Sequence, residues 1–220
     1  MDEETWNNVD DYFSLLAHED DALRQAVASS RSAGLPDIQV TPTQGKLLQI
    51  LALCVGARRI LEVGTLGGYS TIWMARALPA GGRLITLELE DAHATVAREN
   101  LSRARLDDLV EVRSGDAKES MRALVEDGAE PFDLIFIDAD KQSNPVYFQH
   151  ALRLAHFGTL IIVDNVVRGG AVADAASDDD RVRATRELLE QASIDPRIDA
   201  TAIQTVGAKG YDGFAIFRLR

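Results

Sequence analysis

Residues 58–70 read RRILEVGTLGGYS, and this stretch decides the fold of the chain. It begins as a short apolar run that carries a carboxylate, Glu62, near its end. A glycine-rich turn follows, and then residues that can open a helix. A strand, a glycine turn and a helix in this order are typical of α/β proteins that bind a ligand over the turn. The stretch therefore predicts a ligand site above residues 64–68.

The chain beyond this stretch continues to alternate between apolar runs and helical patterns. Five strands are predicted, at 59–63, 83–87, 110–113, 133–138 and 159–163. Helices are predicted between them, at 69–78, 92–105, 117–126 and 144–155. Nearly continuous apolar strands that alternate with helices indicate a parallel sheet covered by helices on both faces.

The C-terminal part has a different pattern. A helix is predicted at 180–192, and two strand-like runs follow it at 200–206 and 213–219. The short connection GAKGYD between these two runs favours an antiparallel hairpin.

The N-terminal part lacks strands. Amphipathic spacing predicts helices at 3–17 and 20–32, and Thr41 and Pro42 open a third helix that runs to about residue 54. We interpret residues 1–220 as one domain, with accessory helices in 1–40 and an α/β core in 41–220. The accessory helices either cap the core, or they cover a site or form a dimer contact.

Composition excludes several classes of protein. The 220 residues carry a formal net charge of −12, and no run of Lys and Arg is longer than two, so nucleic acid and anionic membranes are not expected partners. Cys54, the single cysteine, excludes an internal disulfide, and its apolar surroundings predict a buried thiol. The acidic N-terminus lacks a signal-peptide pattern and no apolar run has membrane-spanning length, so we predict a cytoplasmic protein.

Each predicted parallel strand ends at a carboxylate. These residues are Glu62, Glu88, Asp116, Asp138 and Asp164. A cap or a turn explains any one of them. The carboxyl ends of parallel strands share one edge of the sheet, however, and a carboxylate cluster there repels itself unless a cation or hydrogen-bond donors offset it.

The glycine turn GTLGG does not match a phosphate-binding motif. It is neither G-x-G-x-x-G nor a P-loop, and no lysine follows it. The acid at Glu62 favours a cationic or hydrogen-bond-donating ligand, and Glu88, 24 residues after Gly64, has the spacing of an acid that binds a ribose diol. A phosphate-free nucleoside with a cationic tail fits these features, which predicts S-adenosylmethionine. The alternative for Glu62 is a salt bridge to Arg58 or Arg59.

Two neighbouring strand ends carry oxygen ligands. Asp138, Asp164 and Asn165 form a set that suits a hard divalent cation, Mg²⁺ first and Mn²⁺ or Ca²⁺ as alternatives. Two vicinal oxygens of a catechol-type substrate, together with a water, would complete an octahedral shell. Lys141, three residues after Asp138, is placed to act as a general base. The alternative for Lys141 is a solvated ion pair with Asp140.

Five motifs together resemble those of one family, the class I S-adenosylmethionine-dependent O-methyltransferases of the cation-dependent catechol and caffeoyl-CoA type. The motifs are TPTQGKLL, LEVGTLGGYS, FIDADK, VDNV and KGYDGFA. The resemblance covers residues from about 40 to 219. It implies a Rossmann-like, seven-stranded, mostly parallel sheet with an antiparallel last strand. It also implies a homodimer with the N-terminal helices near the active site.

The resemblance assigns roles to individual positions. Positions in the methionine-binding part of the cofactor site correspond to Val40, Glu62, Gly64, Thr65 and Ser70. It further implies that Glu88 binds the ribose, that Ala117 lies at the adenine and that Asp138 is also close to the cofactor. Asp138, Asp164 and Asn165 match metal ligands, and Lys141 matches the base.

Two features depart from that family pattern. Residues 166–170, VVRGG, lack the tryptophan that many relatives place there as a wall for the acceptor. Residues 171–180 are acidic, which disfavours an anionic acceptor nearby. We predict methyl transfer to a hydroxyl of a small catechol-like or phenolic acceptor. The alternatives are a metal-independent methyltransferase, a non-catalytic S-adenosylmethionine-binding protein and, against the glycine pattern, an NAD(P)-dependent oxidoreductase.

Overall fold

One sheet of seven strands organises the computed structural model, which describes residues 3–220. The strands are β1 Arg59–Val63, β2 Arg83–Glu88, β3 Val110–Ser114, β4 Phe132–Ile137, β5 Ala155–Asp164, β6 Ile198–Gly207 and β7 Gly210–Leu219. Their order is β3-β2-β1-β4-β5-β7-β6. The order reverses between β1 and β4, and ligands bind at such a switch point beyond the carboxyl ends of the strands.

The strand directions confirm the predicted topology. The pairs that join β1, β2, β3, β4 and β5 are parallel, whereas β7 is antiparallel to both of its neighbours. The final hairpin is longer than predicted, because pairing continues to Gly207 and Gly210. The connection is therefore the two residues Ala208 and Lys209, and the expected loop at 207–212 is wrong.

Eight α-helices surround the sheet in residues 3–220. They are α1 Glu3–Ala17, α2 Asp21–Ser32, α3 Pro42–Cys54, α4 Tyr69–Ala75, α5 Asp91–Arg103, α6 Ala117–Glu126, α7 Asn144–Arg153 and α8 Asp180–Ile194. The Thr41 hydroxyl accepts from the backbone N–H of Gln44, as predicted for the start of α3. Two short 3-10 helices, Lys141–Ser143 and Arg168–Ala173, follow the ends of β4 and β5.

The core has two halves, one on each face of the sheet. Leu61 of β1 packs with α6 and α7 residues such as Met121, whereas Ile60 packs with α3 and α4 residues such as Leu48. Successive strand residues point to opposite faces, so Glu62 lies on the same face as Ile60. A carboxylate at this position is therefore enclosed beneath the helices of that face.

The thiol of Cys54 is exposed, which corrects the predicted buried position. Cys54 ends α3, and the neighbouring Leu53 is 58% exposed, so the apolar run includes a helix face that the core does not cover. None of the helices within residues 3–220 is both long and apolar enough to cross a membrane.

Candidate active site

A cavity of about 820 Å³ opens beyond the carboxyl ends of β1, β2, β4 and β5. It brings together nine of the predicted site residues, which are Val40, Gly64, Thr65, Ser70, Glu88, Ala117, Asp138, Lys141 and Asn165. Two predicted residues do not line it. Glu62 lies beneath its wall, and Asp164 lines a smaller cavity of about 250 Å³ that Asn165 shares.

Helix α2 forms one wall of the large cavity through Ala26 and Ser30. Asn100 of α5 ties this helix to the glycine turn, because its Nδ2 donates to the carbonyl of Gly67 at 2.8 Å and its Oδ1 accepts from the Ser29 hydroxyl at 2.6 Å. Helix α2 thus combines both predicted roles, because it covers the cavity and its buried Leu23 and Ala26 also pack in the core.

The glycine turn approaches the end of β4 closely. Gly64 has φ +99°, and a Cβ at this position would lie 2.1 Å from the carbonyl oxygen of Asp138. The Asp138 N–H also donates to the carbonyl of Val63 at 2.8 Å, so the glycine turn and the Asp138 loop are fixed relative to each other. Only glycine satisfies both the dihedral angle and the contact.

Gly64→Ala is expected to lower the free energy of unfolding by about 3 kcal/mol or more, because a positive φ costs alanine about 1–2 kcal/mol and the contact with Asp138 adds overpacking. Gly56→Ala is the matched control, since Gly56 also has a positive φ but nothing lies within 4 Å of its added Cβ. We expect the control to lose about 1 kcal/mol in urea unfolding. Equal losses in the two variants would contradict the close approach.

Glu88 holds the glycine turn in place. One carboxylate oxygen accepts the backbone N–H groups of Thr65 at 3.1 Å and Leu66 at 2.8 Å. The other accepts the N–H of Glu90 at 3.0 Å and lies 3.4 Å from His93 Nδ1. This carboxylate, at the predicted ribose position, therefore also shapes the turn.

Glu62 is fully buried behind the cavity wall. Its oxygens accept the hydroxyls of Ser70 at 2.6 Å, Thr86 at 2.7 Å and Thr71. Burial raises the pKa of Glu62 to about 7, although the three hydroxyl donors favour the charged form. Of this group, Ser70 lines the cavity, so Glu62 orients the Ser70 hydroxyl from behind.

The alternative salt bridge for Glu62 is absent from the described residues. Arg59 pairs with Glu130 at 3.3 Å, and neither Arg58 nor Arg59 contacts the Glu62 carboxylate. Direct contact between Glu62 and a ligand in the cavity also requires a path past Ser70. The sequence identified the right strand end, but not which residue reaches the surface.

The raised pKa of Glu62 gives folding a pH dependence. An acid that ionises at about 7 when folded and at 4.5 in its ordinary state loses folding stability as pH rises through that window. We expect the stability of the wild type relative to Glu62→Gln to fall by about 1.4 kcal/mol per pH unit there, and to level off above it. Urea unfolding of both proteins across the window measures this difference. A difference independent of pH would show that Glu62 is already ionised at its lower end.

Lys141 pairs with Asp138 on the wall of the cavity. Its Nζ donates to Asp138 Oδ1 at 2.7 Å, and Lys141 is only 8% exposed. Asp140, the alternative partner predicted for Lys141, instead accepts the hydroxyl of Tyr147 at 2.5 Å. The amine is thus held at the carboxylate that ends β4.

Asp164 lies at the boundary between the two cavities. Its Oδ1 accepts the N–H of Asn165 at 2.8 Å, and its Oδ2 accepts from Gln44 Nε2 at 2.7 Å. Burial, and then the charge of Asp138, raise the pKa of Asp164 to about 7. Sequence reasoning missed Gln44, because nothing local to α3 indicates a partner 120 residues away.

Asp212 fixes the loop that follows Asn165. Its Oδ1 accepts the N–H groups of Val167 at 3.0 Å, Arg168 at 3.1 Å and Gly213 at 3.0 Å. Sequence reasoning missed this role as well, although Asp212 stands within the KGYDGFA motif. The reversed strand β7 therefore orders the loop beside the predicted metal ligands.

The oxygen set Asp138, Asp164 and Asn165 fits a hard divalent cation in its donor chemistry. After burial, the charge of Asp138 is the second cause that raises the pKa of Asp164, and a cation at these carboxylates would offset their repulsion. Within residues 3–220, no group of three or more His, Cys, Asp and Glu side chains is placed to hold a metal. A cation held here would need the amide of Asn165 as its third protein oxygen.

The sheet order, the glycine turn and the strand-end carboxylates define a Rossmann-like methyltransferase fold. A family model described as O-methyltransferase matches residues 14–216. The chain is 52% identical to a catechol O-methyltransferase of Niastella koreensis over 98% of both proteins. It is 51% identical to a catechol O-methyltransferase of Mycobacterium tuberculosis, over 94% of this chain and 92% of that protein.

Solved structures agree with the sequence comparisons. The O-methyltransferase from Bacillus cereus in complex with SAH superposes with a TM-score of 0.97 at 52% identity, with both chains fully covered. TomG from Streptomyces achromogenes, in complex with SAM, gives a TM-score of 0.96 at 48% identity, covering 100% of this chain and 99% of that one. The chain belongs to the O-methyltransferase family, and it is an S-adenosylmethionine-dependent O-methyltransferase. An oxidoreductase is excluded.

Proposed function

We propose that this enzyme transfers the methyl group of S-adenosylmethionine to one hydroxyl of a catechol-like acceptor, with a divalent cation held by Asp138, Asp164 and Asn165. The observation that carries the proposal is the ion pair of Lys141 with Asp138, beside the strand end that bears the other two residues. Two relatives at 52% and 51% identity are named catechol O-methyltransferase, which supports the same acceptor class.

The methyl donor occupies the part of the cavity around the glycine turn in this proposal. Val40, Gly64, Thr65 and Ser70 face its amino-acid end, and we assign the ribose to Glu88. The Ser70 hydroxyl is held by buried Glu62, and the turn is held by Glu88, so both contacts are preorganised.

The adenine lies in this proposal at the start of α6. Ala117 is the first residue of that helix and lines the cavity. Asp138, at the end of β4, faces both the donor part of the cavity and the reacting oxygen.

Once the amine of Lys141 is neutral, its Nζ takes the proton of the attacking hydroxyl and becomes an ammonium. The cation, when bound, supplies a Lewis acid that favours ionisation of that hydroxyl and orients its vicinal neighbour. As the new O–C bond forms, the S–C bond of the donor breaks, and its electron pair stays on sulfur. The enclosed position of Lys141 keeps bulk water away from the amine.

Catechol and phenol test the acceptor class, with the donor labelled at its methyl group. We expect labelled monomethyl ether from catechol, and turnover of phenol slower by about 100-fold, because phenol lacks the vicinal oxygen that fixes its orientation. Product formation is followed by chromatography. Equal rates with the two acceptors would contradict two-point binding, and no transfer to either would contradict the proposal.

We also propose that the enzyme is a homodimer. Helix α1 leaves Tyr12, Leu15 and Leu16 between 65% and 70% exposed, and α3, which packs against it, exposes Ile50 and Leu53. A second copy would remove this apolar surface from water. Sedimentation velocity measures the mass directly, and a monomer at micromolar concentration would contradict the proposal. The cytoplasmic location and the lack of nucleic-acid or membrane partners stay predictions from the sequence.

A further inference from the structure

One arginine on the wall of the large cavity has no carboxylate partner. Four Lys and Arg side chains line this cavity within residues 3–220, and three of them are in ion pairs: Lys118 with Asp116, Lys141 with Asp138 and Arg181 with Asp179. Arg168 alone forms no ion pair among the described residues. Its Nε is buried and has no hydrogen-bond partner among them.

The backbone holds Arg168 at the reaction centre. It stands three residues after Asn165, has φ +57°, and its N–H is held by Asp212 at 3.1 Å. A guanidinium whose Nε is desolvated without a partner costs free energy, which a ligand that accepts its N–H groups would recover. Because Asp212 holds this loop through its backbone N–H groups, the position of the loop does not depend on the side chain of Arg168.

Asp179 of the acidic stretch at 171–180 is near enough to Arg168 for their charges to interact, but these two residues form no ion pair. Asp179 binds Arg181 through both carboxylate oxygens, and Asp180 pairs with Arg183. No acid from 171–180 lines the large cavity, in the part of the chain that the structure describes. Asp179 thus offsets part of the charge of Arg168 but leaves its Nε without a hydrogen-bond partner, and the expectation that this stretch disfavours an anionic acceptor stays a prediction.

We propose that Arg168 binds a carboxylate on the acceptor, so that the preferred acceptor is a catechol ring that bears one acid group. This inference rests on the proposed methyl transfer and names the substrate class within it. The planar guanidinium matches a carboxylate in a two-point contact. One unpaired arginine suits one carboxylate, whereas the several phosphate charges of a coenzyme A thioester would need further cations.

Protocatechuate, a catechol that carries a carboxylate, and its neutral amide test this inference with the whole enzyme, S-adenosylmethionine and Mg²⁺. We expect the wild type to prefer the acid over the amide in kcat/KM by about tenfold or more. Arg168→Met should lower this acid-to-amide ratio by about tenfold, and Arg168→Lys, which keeps the charge but loses the planar fork, should lie between them. Arg183→Met is the matched control, because Arg183 is exposed and does not line the cavity, and its ratio should equal that of the wild type.

Three outcomes would overturn the inference. They are a wild type that prefers the amide, an Arg168→Met variant that loses both acceptors equally, and a preference for the coenzyme A thioester of the same acid. Calorimetric titration of protocatechuate into each protein separates this inference from the proposed reaction. Weaker binding of the acid to Arg168→Met in the absence of turnover would support Arg168 while contradicting methyl transfer. Circular dichroism verifies that each variant is folded.

Discussion

Lys141→Met is expected to lower kcat for catechol methylation by about 1000-fold or more, with little change in the binding of S-adenosylmethionine. The amine of Lys141 lies 2.7 Å from Asp138, where we propose that the attacking hydroxyl loses its proton, and methionine is an unbranched side chain only one atom shorter that has no basic atom. The residual rate should rise with pH, because hydroxide then replaces the missing base.

Lys118→Met is the control for this substitution. Lys118 lines the same cavity but pairs with Asp116 at the start of α6, away from the ends of β4 and β5. We expect its kcat to change less than about threefold. Initial rates and calorimetric titration of the donor give kcat and the donor dissociation constant for each protein. An effect of Lys141→Met that is confined to donor binding would assign Lys141 an electrostatic role instead.

Removal of divalent cations with EDTA is expected to lower kcat by about 100-fold or more in the wild type, and added Mg²⁺ should restore it. In Asp164→Ala, Mg²⁺ should fail to restore activity, because only Asp138 and the amide of Asn165 remain as ligands. Initial rates across a Mg²⁺ titration measure the effect.

Gln44→Leu provides a graded comparison for the same titration. It removes the hydrogen bond to Asp164 Oδ2 but keeps every proposed ligand. We expect it to need about tenfold more Mg²⁺ for half-maximal activity, as for other residues that orient a metal ligand. Wild-type activity that is indifferent to EDTA would favour the metal-independent alternative.

The backbone of this fold is predictable from local patterns. The bounds of β1 and α6 agree with the prediction, because a glycine turn follows β1 and the side chain of Asp116 caps α6 at its first turn. The extent of the hairpin was less predictable from the sequence. Strand β6 is mostly exposed and has a weak apolar pattern, and it is a strand because its backbone pairs with β7. The exposure of Cys54 could not be predicted either, because the sequence of an apolar helix face does not show whether that face packs against the core or is exposed to solvent.

The position of the candidate site in the fold was predictable from the sequence, but the side-chain contacts within the site were not. A parallel topology brings strand ends to one edge, and this placed Glu88 and Asp138 correctly on the cavity wall. Which side chain reaches that wall depends on the helix that covers the strand, so Glu62 lies behind Ser70. The hydrogen bond of Gln44 to Asp164 arises only in the folded chain, which brings the first turn of α3 beside the last residue of β5.

Helix α2 gives the N-terminal region a thermodynamic link to the donor. Ala26 and Ser30 form part of the wall, and Asn100 ties the helix to the glycine turn, so the part of the cavity that we assign to the donor is complete only when α2 is docked. A ligand that binds only the docked arrangement stabilises that arrangement by mass action. Saturation with the methyl donor thus shifts the local unfolding equilibrium of a segment that contributes nothing to the sheet.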